Sequence, residues 1–226
     1  MNIAVLGTGT VGRTLAGKLS ELGHDVVIGT RDPEATLART EADAMGNPPY
    51  AEWQADHPAV RLAPFAEAAA SGELVINATG GGGSLDALSL AGAENLAGKV
   101  LLDVSNPLDF SQGFPPSLFV KDTDSLAEQI QRAVPAARVV KSLNTMTAAV
   151  MVDPARVGAG DHSVFVSGND PEAKRTVVSL LEDLGHTDVI DLGDLPTARG
   201  VEMYLPLWLR MMGAVGTPFF NIKVVR

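Results

Sequence analysis

One stretch decides the fold, and it reads Ile3-Ala4-Val5-Leu6-Gly7-Thr8-Gly9-Thr10-Val11-Gly12. Its first four residues are continuously apolar, which is typical of a buried strand, and apolar residues then recur at helical spacing up to Gly23. Glycines at positions 7, 9 and 12 allow a tight turn, close approach of a pyrophosphate and close packing of helix on strand. Free N–H groups at the start of the helix would face the anion. We therefore predict that a dinucleotide cofactor is bound by Gly7, Thr8, Gly9, Thr10, Val11 and Gly12.

The rest of the chain alternates between short apolar runs and longer helical patterns. Further strands are predicted near residues 26–28, 60–62, 74–77, 100–104, 139–140, 164–166 and 189–190, and helices near residues 32–46, 124–133 and 171–184. This alternation predicts an α/β fold with a doubly wound, mainly parallel Rossmann-type sheet. Residues 1–195 would form the nucleotide-binding domain. Residues 196–226 would add a small C-terminal appendage to the same compact unit, with one helix over residues 198–212 and a short strand over 222–225.

Composition excludes several classes of protein. The 226 residues include 27 acidic and 17 basic side chains, for a net charge of −10, and 46% are hydrophobic, so we expect neither disorder nor nucleic-acid binding. No cysteine is present and the four histidines lack ligand spacing, so we expect no disulfide and no metal site. No signal peptide precedes the first strand, and an arginine interrupts the longest apolar run, residues 204–220. We therefore expect a cytoplasmic protein without a membrane partner.

The end of the second predicted strand indicates which nicotinamide cofactor binds. NAD sites usually place an acidic residue there to bind the ribose 2′-hydroxyl, whereas this chain has Gly29-Thr30-Arg31. No carboxylate at Gly29 would repel a 2′-phosphate, Thr30 offers a hydroxyl, and Arg31 offers a permanently charged guanidinium. We therefore predict NADP(H), with Thr30 and Arg31 at the 2′-phosphate. Asp32 is better explained as a helix cap than as a ribose ligand.

Residues that follow two later strands reach the same edge of the sheet, where doubly wound folds bind their ligands. Thr79, Gly80 and Gly81 follow the fourth strand, and the four glycines that begin at Gly80 would let a flat ring or a pyrophosphate approach backbone N–H groups. A mobile surface loop is the alternative. Asn144 and Thr145 follow the sixth strand and are expected to bond the nicotinamide carboxamide, with helix capping as the alternative.

The segment after the fifth strand, residues 107–119, is rich in proline and phenylalanine. It would either form a wall for a planar aromatic substrate or pack its own phenylalanine side chains. No acid–base pair stands out along the chain, and hydride transfer between two bound rings needs proximity and alignment more than a general acid. We therefore expect no catalytic acid or base, and Lys141 and Asn144 are the candidates if a catalytic side chain exists.

These motifs together resemble those of the NADPH-dependent reductases of the deazaflavin coenzyme F-420 (F420), the F420:NADP oxidoreductase family. The resemblance extends over nearly the whole chain and rests on residues 3–9, 27–31, 139–145, 166–170, 199–202 and 221–223. It implies a small homodimeric enzyme that transfers hydride reversibly between nicotinamide C4 and deazaflavin C5. It also implies that Thr8, Thr30 and Arg31 hold NADP, and that the deazaflavin lies over the nicotinamide against the loops after strands four to six.

The chain departs from the archaeal members of that family at two places, the four glycines and the aromatic segment of residues 107–119. One alternative is therefore an NADPH-dependent reductase of another acceptor, which would be a flavin, a quinone, a metal-flavin or an imine. The same fold also serves the cytoplasmic domain of six-transmembrane metalloreductases. Another alternative is a non-enzymatic NADP-binding sensor, since a Rossmann fold alone does not fix function.

Two expectations concern surfaces. The acidic tail of F420 would need local cations to offset the net charge of −10, and the candidates are Lys121, Arg138, Lys141 and Arg199. The expected surface for a homodimer is the apolar helix through Leu205, Leu207, Trp208 and Met211.

Overall fold

A computed structural model describes residues 1–43 and 46–226. Its strands are β1 (Asn2–Leu6), β2 (Asp25–Thr30), β3 (Arg61–Pro64), β4 (Leu74–Asn77), β5 (Val100–Asp103), β6 (Leu108–Asp109), β7 (Ser117–Leu118), β8 (Arg138–Ser142), β9 (Ser163–Gly168) and β10 (Asp188–Asp191). Eight of them form one sheet in the order β10-β9-β8-β5-β4-β1-β2-β3, and β6 and β7 form a separate hairpin. Every neighbouring pair in the large sheet is parallel except β8 and β9. The predicted mainly parallel sheet is confirmed.

Helices cover both faces of this sheet. They are α1 (Thr10–Glu21), α2 (Pro33–Leu37), α3 (Tyr50–Asp56), α4 (Phe65–Ser71), α5 (Ser84–Ala91), α6 (Ala93–Leu96), α7 (Leu126–Ala133), α8 (Ala148–Val152), α9 (Pro171–Asp183), α10 (Ala198–Met203) and α11 (Leu205–Val215). Alternate residues of β1 enter two different apolar clusters, Ile3 and Val5 in one and Ala4 and Leu6 in the other. Because side chains alternate across a strand, the two clusters lie on opposite faces, as the doubly wound prediction requires.

The helix predicted over residues 32–46 is much shorter than expected. It begins as predicted, with the Asp32 carboxylate accepting from the first turn of α2 at 2.9 Å, but it ends at Leu37. Beyond it, Asp43 and Asn47 close a turn, in which the Asp43 N–H donates to the Asn47 carbonyl oxygen at 3.0 Å. The Asp43 carboxylate also accepts from the Asn47 N–H at 2.9 Å. These local hydrogen bonds replace helical ones, which is common for Asp and Asn.

The C-terminal segment also differs from its prediction. The single helix expected over residues 198–212 is two helices, α10 and α11, which meet at Tyr204. Pro206 cannot donate a backbone hydrogen bond to the previous turn, which explains the break. No strand forms over residues 222–225, because Val224 donates its N–H to the Ser163 hydroxyl (2.9 Å) and not to a main-chain carbonyl.

Neither a membrane-spanning helix nor a metal-binding cluster is present in residues 1–43 and 46–226. No helix there is both long and apolar enough to cross a membrane. No group of three or more His, Cys, Asp or Glu side chains within the same residues is placed to hold a metal ion.

Candidate cofactor and acceptor site

The glycine-rich turn between β1 and α1 has the geometry that its sequence predicts. Gly7 has a φ of +121°, and a Cβ there would lie 2.7 Å from the carbonyl oxygen of Ala78. A Cβ at Gly12 would collide with the Gly7 carbonyl oxygen, so glycine is needed for α1 to pack directly on the turn. Around Gly9 the space is open, which leaves its backbone accessible to a ligand.

The N-terminus of α1 is free to bind an anion. Its N-cap is Gly9, and none of the described side chains caps it. The N–H groups of the first turn therefore lack helical partners, and their partial positive charge suits a phosphate. Thr8 and Val11 are partly exposed beside them. The Thr10 hydroxyl already has a partner, because it accepts a hydrogen bond of 2.6 Å from the Asn47 side chain.

At the end of β2, the two residues predicted to hold a 2′-phosphate differ in accessibility. Thr30 is buried, and its hydroxyl lies 2.9 Å from that of Thr36, which donates to the Asp32 carbonyl oxygen at 2.7 Å. Since the only hydroxyl proton of Thr36 is used on Asp32, Thr30 donates to Thr36 and has no proton left for a phosphate. Arg31 is exposed. In this arrangement, its guanidinium is the group at this strand end that can reach a phosphate oxygen.

An open cavity of about 480 Å³, here called the acceptor cavity, lies at the carboxyl ends of β4 and β5. Val11 lines it from α1, the four glycines line it from the end of β4, and Asn106 and Phe110 line it from beyond β5. Every described residue that lines it is uncharged. Gly81 packs so closely on the Asn106 carbonyl oxygen that a Cβ would collide, whereas the other three glycines have open space. The cavity therefore suits a neutral, planar group.

A buried hydrogen-bond network fixes the strand ends that border this cavity. Asn77 Nδ2 donates to Asp103 Oδ1 (2.9 Å) and to Ser84 Oγ (3.1 Å), while Asn77 Oδ1 accepts from Thr79 Oγ1 (2.7 Å). Ser105 Oγ donates to the same Asp103 oxygen at 2.7 Å. Thr79, a predicted site residue, is thus held by Asn77 of β4 and by Ser84 of α5.

Lys141, a candidate catalytic side chain, belongs to this buried network. It is 0% exposed, and its Nζ lies 2.8 Å from Asp103 Oδ2, 2.9 Å from Glu202 Oε1 and 2.6 Å from the Ser105 carbonyl oxygen. These three partners use all three donors of the ammonium. Burial opposes the charged form, but the two carboxylates outweigh it and raise the pKa of Lys141. Lys141 is therefore a charged structural residue with no donor left for a ligand.

Asn144 and Thr145 lie behind the wall of the acceptor cavity. Both are buried, and neither caps the following helix, whose N-cap is Thr147. Asn144 Nδ2 donates to Asn106 Oδ1 and to the Val201 carbonyl oxygen, both at 3.0 Å. Both side-chain protons of Asn144 are thus used within the protein, and only its Oδ1 could accept a hydrogen bond from a carboxamide. Asn106 faces the cavity instead, and sequence reasoning did not select it because its pairing with Asn144 joins residues far apart in the chain.

The cations expected to neutralise an acidic tail are mostly engaged elsewhere. Arg138 is the first residue of β8, which runs parallel to β5, so Arg138 lies at the opposite, amino edge of the sheet. Arg199 is bound by Glu128, with Nε and Oε2 2.8 Å apart. Lys141 is buried, as described. Lys121 is exposed and is the one of the four that remains accessible.

The aromatic segment forms a hairpin through β6 and β7, which the sequence did not predict. Phe110, Phe114 and Phe119 are 59%, 68% and 44% exposed, so the segment does not bury its own phenylalanine side chains together. Phe110 lines the acceptor cavity. Of the two interpretations left open by the sequence, the structure favours a segment that forms one wall of a site for a planar substrate over a segment that packs its own phenylalanine side chains.

Comparison with known proteins places this site within a family. A model of the family described as "NADP oxidoreductase coenzyme F420-dependent" matches residues 2–107. The crystal structure of a candidate F420-dependent NADP reductase from Arthrobacter sp. FB24 superposes with a TM-score of 0.96 and is 63% identical, covering 99% of both chains.

Two curated relatives extend the comparison. Metalloreductase STEAP3 of Rattus norvegicus is 31% identical over 91% of this chain, but the chain spans only 37% of that protein. The F420-dependent NADP reductase of Methanothermobacter marburgensis is 30% identical over 215 residues, which are 93% of this chain and 92% of that protein. This match over nearly the full length of both proteins shows that the chain belongs to the family of F420-dependent NADP reductases.

Proposed function

We propose that this protein transfers hydride between NADP(H) and the deazaflavin coenzyme F420. The observation that carries the proposal is the acceptor cavity, which is uncharged and borders the open start of α1 at Val11. A nicotinamide that extends from α1 would lie against the glycines, with room for a second planar ring on the Phe110 side. The relative from Methanothermobacter marburgensis, named an F420-dependent NADP reductase, supports F420 as that second ring.

The residues of the glycine-rich turn fit the cofactor, because Gly9 is open and the first turn of α1 is uncapped. NADPH, when bound, supplies the hydride from C4 of its nicotinamide. We propose that Gly7, Thr8, Gly9, Thr10, Val11 and Gly12 hold the pyrophosphate through backbone N–H groups and close approach. Arg31 would hold the 2′-phosphate, with Thr30 supporting it through packing.

At the other end of the site, the chain would orient two rings and exclude water from between them. Thr79, Gly80 and Gly81 would present backbone to the nicotinamide, and Asn144 and Thr145 would support the opposite wall from behind. No acid or base is required of the protein, because holding the two rings in contact and in alignment accounts for much of the rate. The hydride would pass directly from nicotinamide C4 to deazaflavin C5, and solvent would supply the proton that completes reduction of the ring.

Turnover with purified F420 and NADPH tests the proposal. We expect rapid loss of the deazaflavin absorbance, with little reduction of flavin mononucleotide in a parallel reaction. The reaction with flavin mononucleotide is included because one relative is a metalloreductase, so an acceptor other than F420 is the main alternative. Tight NADPH binding with neither acceptor reduced would refute the proposed reaction and favour a sensor. Faster reduction of the flavin would instead assign the acceptor cavity to flavins.

Replacing Arg31 with Ala is expected to weaken NADPH binding by about 10- to 100-fold while changing NADH binding less than about threefold. The reason is the loss of one charge-assisted hydrogen bond, worth roughly 1.5–3 kcal/mol. Titration of the nicotinamide fluorescence measures both affinities. Arg61→Ala is the matched control, since Arg61 begins β3 at the opposite edge of the sheet and is exposed. Equal weakening of NADPH and NADH binding would show that Arg31 does not contact the 2′-phosphate.

We further propose a cytoplasmic homodimer that pairs through α11 and the residues after it. Of the residues expected on this surface, Leu207 is 56% exposed, but Leu205 and Trp208 are buried within the protein, at 6% and 9%. The exposed apolar side chains that support the proposal are therefore Leu207, Val215 (59%) and Phe219 (45%). Sedimentation of the purified protein measures the assembly state. A monomer at micromolar concentration would contradict this part of the proposal.

A further inference from the structure

A second cavity lies on the other side of the glycine-rich turn. It has a volume of about 540 Å³ and is lined by Thr8 and Gly9 from the turn and by residues 38–43 and 48–50 from the segment after α2. Thr36, which bonds the hydroxyl of Thr30 at the end of β2, also lines it. The cavity is therefore next to both the pyrophosphate loop and the strand end that distinguishes NADP from NAD, and we call it the adenosine cavity.

Arg13 and Tyr50 form the fixed part of its wall. Arg13 Nε donates to the Thr8 carbonyl oxygen at 2.7 Å, and its Nη1 donates to the Pro48 carbonyl oxygen at 2.6 Å. Its guanidinium carbon lies 5.3 Å from the centre of the Tyr50 ring. Arg13 is only 8% exposed. It therefore holds the segment of residues 48–50 against the turn, and most of its donors are not available to a ligand.

Tyr50 carries a buried donor that lacks an acceptor. The residue is 2% exposed, and its hydroxyl has no hydrogen-bond partner among the described residues. Burial raises the pKa of Tyr50, so the hydroxyl keeps its proton at any physiological pH. An unpaired buried hydroxyl is costly, and a ligand or an ordered water in the cavity would offset that cost by supplying an acceptor.

Arg39 is the cation of this cavity that is free to bind. It is exposed, it lines the cavity, and none of the described residues forms an ion pair or hydrogen bond with its side chain. Arg31, in contrast, is absent from the described lining. Two acidic residues, Glu41 and Asp43, line the same cavity and would offset positive charge there. A dianionic phosphate beside Glu41 therefore needs more than one arginine.

We propose that Arg39 binds the 2′-phosphate of NADP from within the adenosine cavity, so that Arg31 binds the phosphate on one side and Arg39 on the other. The inference rests on the proposed function only in that NADP is the cofactor, and it does not depend on the identity of the acceptor. It makes Arg39 a determinant of NADP specificity that lies beyond the end of α2. The short α2 makes this geometry available, because a helix continuing to residue 46 would carry Arg39 away on its own surface.

Calorimetric titration with 2′,5′-ADP and with 5′-ADP tests the proposal without any acceptor or turnover. We expect Arg39→Ala to weaken 2′,5′-ADP binding by about 10-fold or more and 5′-ADP binding by less than about threefold. Glu41→Gln should tighten 2′,5′-ADP binding by about two- to fivefold, because it removes a repelling charge. The exposed Arg61→Ala variant serves again as the control and should match the wild type.

The other outcomes distinguish a failure of this inference from a failure of the proposed function. Equal weakening of both nucleotides by Arg39→Ala would show that Arg39 contacts the adenine or the 5′-phosphates, and no weakening would exclude Arg39 from the site. If the wild type binds neither nucleotide, the inference and the NADP assignment both fail. If Arg39→Ala acts as expected but F420 is not reduced, the inference stands and only the proposed acceptor is wrong.

Discussion

Replacing Lys141 with Met is expected to lower the free energy of unfolding by about 3–5 kcal/mol. The ammonium of Lys141 is completely buried and lies between the carboxylates of Asp103 and Glu202, at 2.8 and 2.9 Å. Met fills much of the same volume but leaves two buried carboxylates without their cation. The penalty for stranding a buried charge is much larger than the value of an intact surface pair. Urea denaturation monitored by circular dichroism measures the change.

A surface pair provides the control for this experiment. Lys18 lies 3.7 Å from Glu21 on α1, with both side chains substantially exposed, so Lys18→Met should change the free energy of unfolding by less than about 1 kcal/mol. Glu202→Gln should destabilise the protein less than Lys141→Met, because it leaves the pair with Asp103 intact. A loss below about 1 kcal/mol for Lys141→Met would show that the buried cluster relaxes or admits water.

The second large effect is expected at Gly81. Gly81→Ala should lower the rate of hydride transfer by about 100-fold, because its Cβ would collide with the Asn106 carbonyl oxygen and push apart the two walls of the acceptor cavity. A displacement of about 1 Å in a site that works by alignment costs rates of this order. Single-turnover absorbance with saturating NADPH and F420 measures the step. The collision is with backbone, so the walls have to move.

Gly82→Ala separates this steric effect from a change in the flexibility of the glycine run. A Cβ at Gly82 meets open space, so this variant should keep hydride transfer within about threefold of the wild type. Binding of 2′,5′-ADP should be unchanged in both variants, since that nucleotide does not reach the acceptor cavity. If Gly81→Ala and Gly82→Ala transfer hydride equally fast, the glycine run is only a surface loop.

The parts of the fold that sequence predicted well are those that depend on neighbouring residues. The turn of residues 7–12 needs glycine for reasons of backbone space that operate within a few residues, and the structure shows the close approaches that forbid a side chain at Gly7 and Gly12. Continuous apolar runs likewise predicted the buried central strands. Asp32 was correctly assigned as a helix cap, because capping is a contact between residues three positions apart.

Sequence patterns were least informative where distant residues meet. Lys141 follows a strand end in the sequence and resembles a candidate ligand-binding cation, but its partners Asp103 and Glu202 come from β5 and α10. Asn144 was assigned to the nicotinamide for the same reason, and its amide protons are used by Asn106 and Val201. No local pattern could show that these side chains point into the protein.

Glu202 has a consequence for how this fold can be divided. Its carboxylate accepts the N–H groups of Leu126 (2.8 Å) and Ala127 (3.1 Å) at the start of α7, in addition to binding Lys141. A chain that stopped after residue 195 would retain every strand, yet it would leave a helix start and a buried ammonium without their shared anion. The border predicted at residue 195 thus passes through a charge cluster, and a transplant of residues 1–195 into another protein would have to include α10 as well.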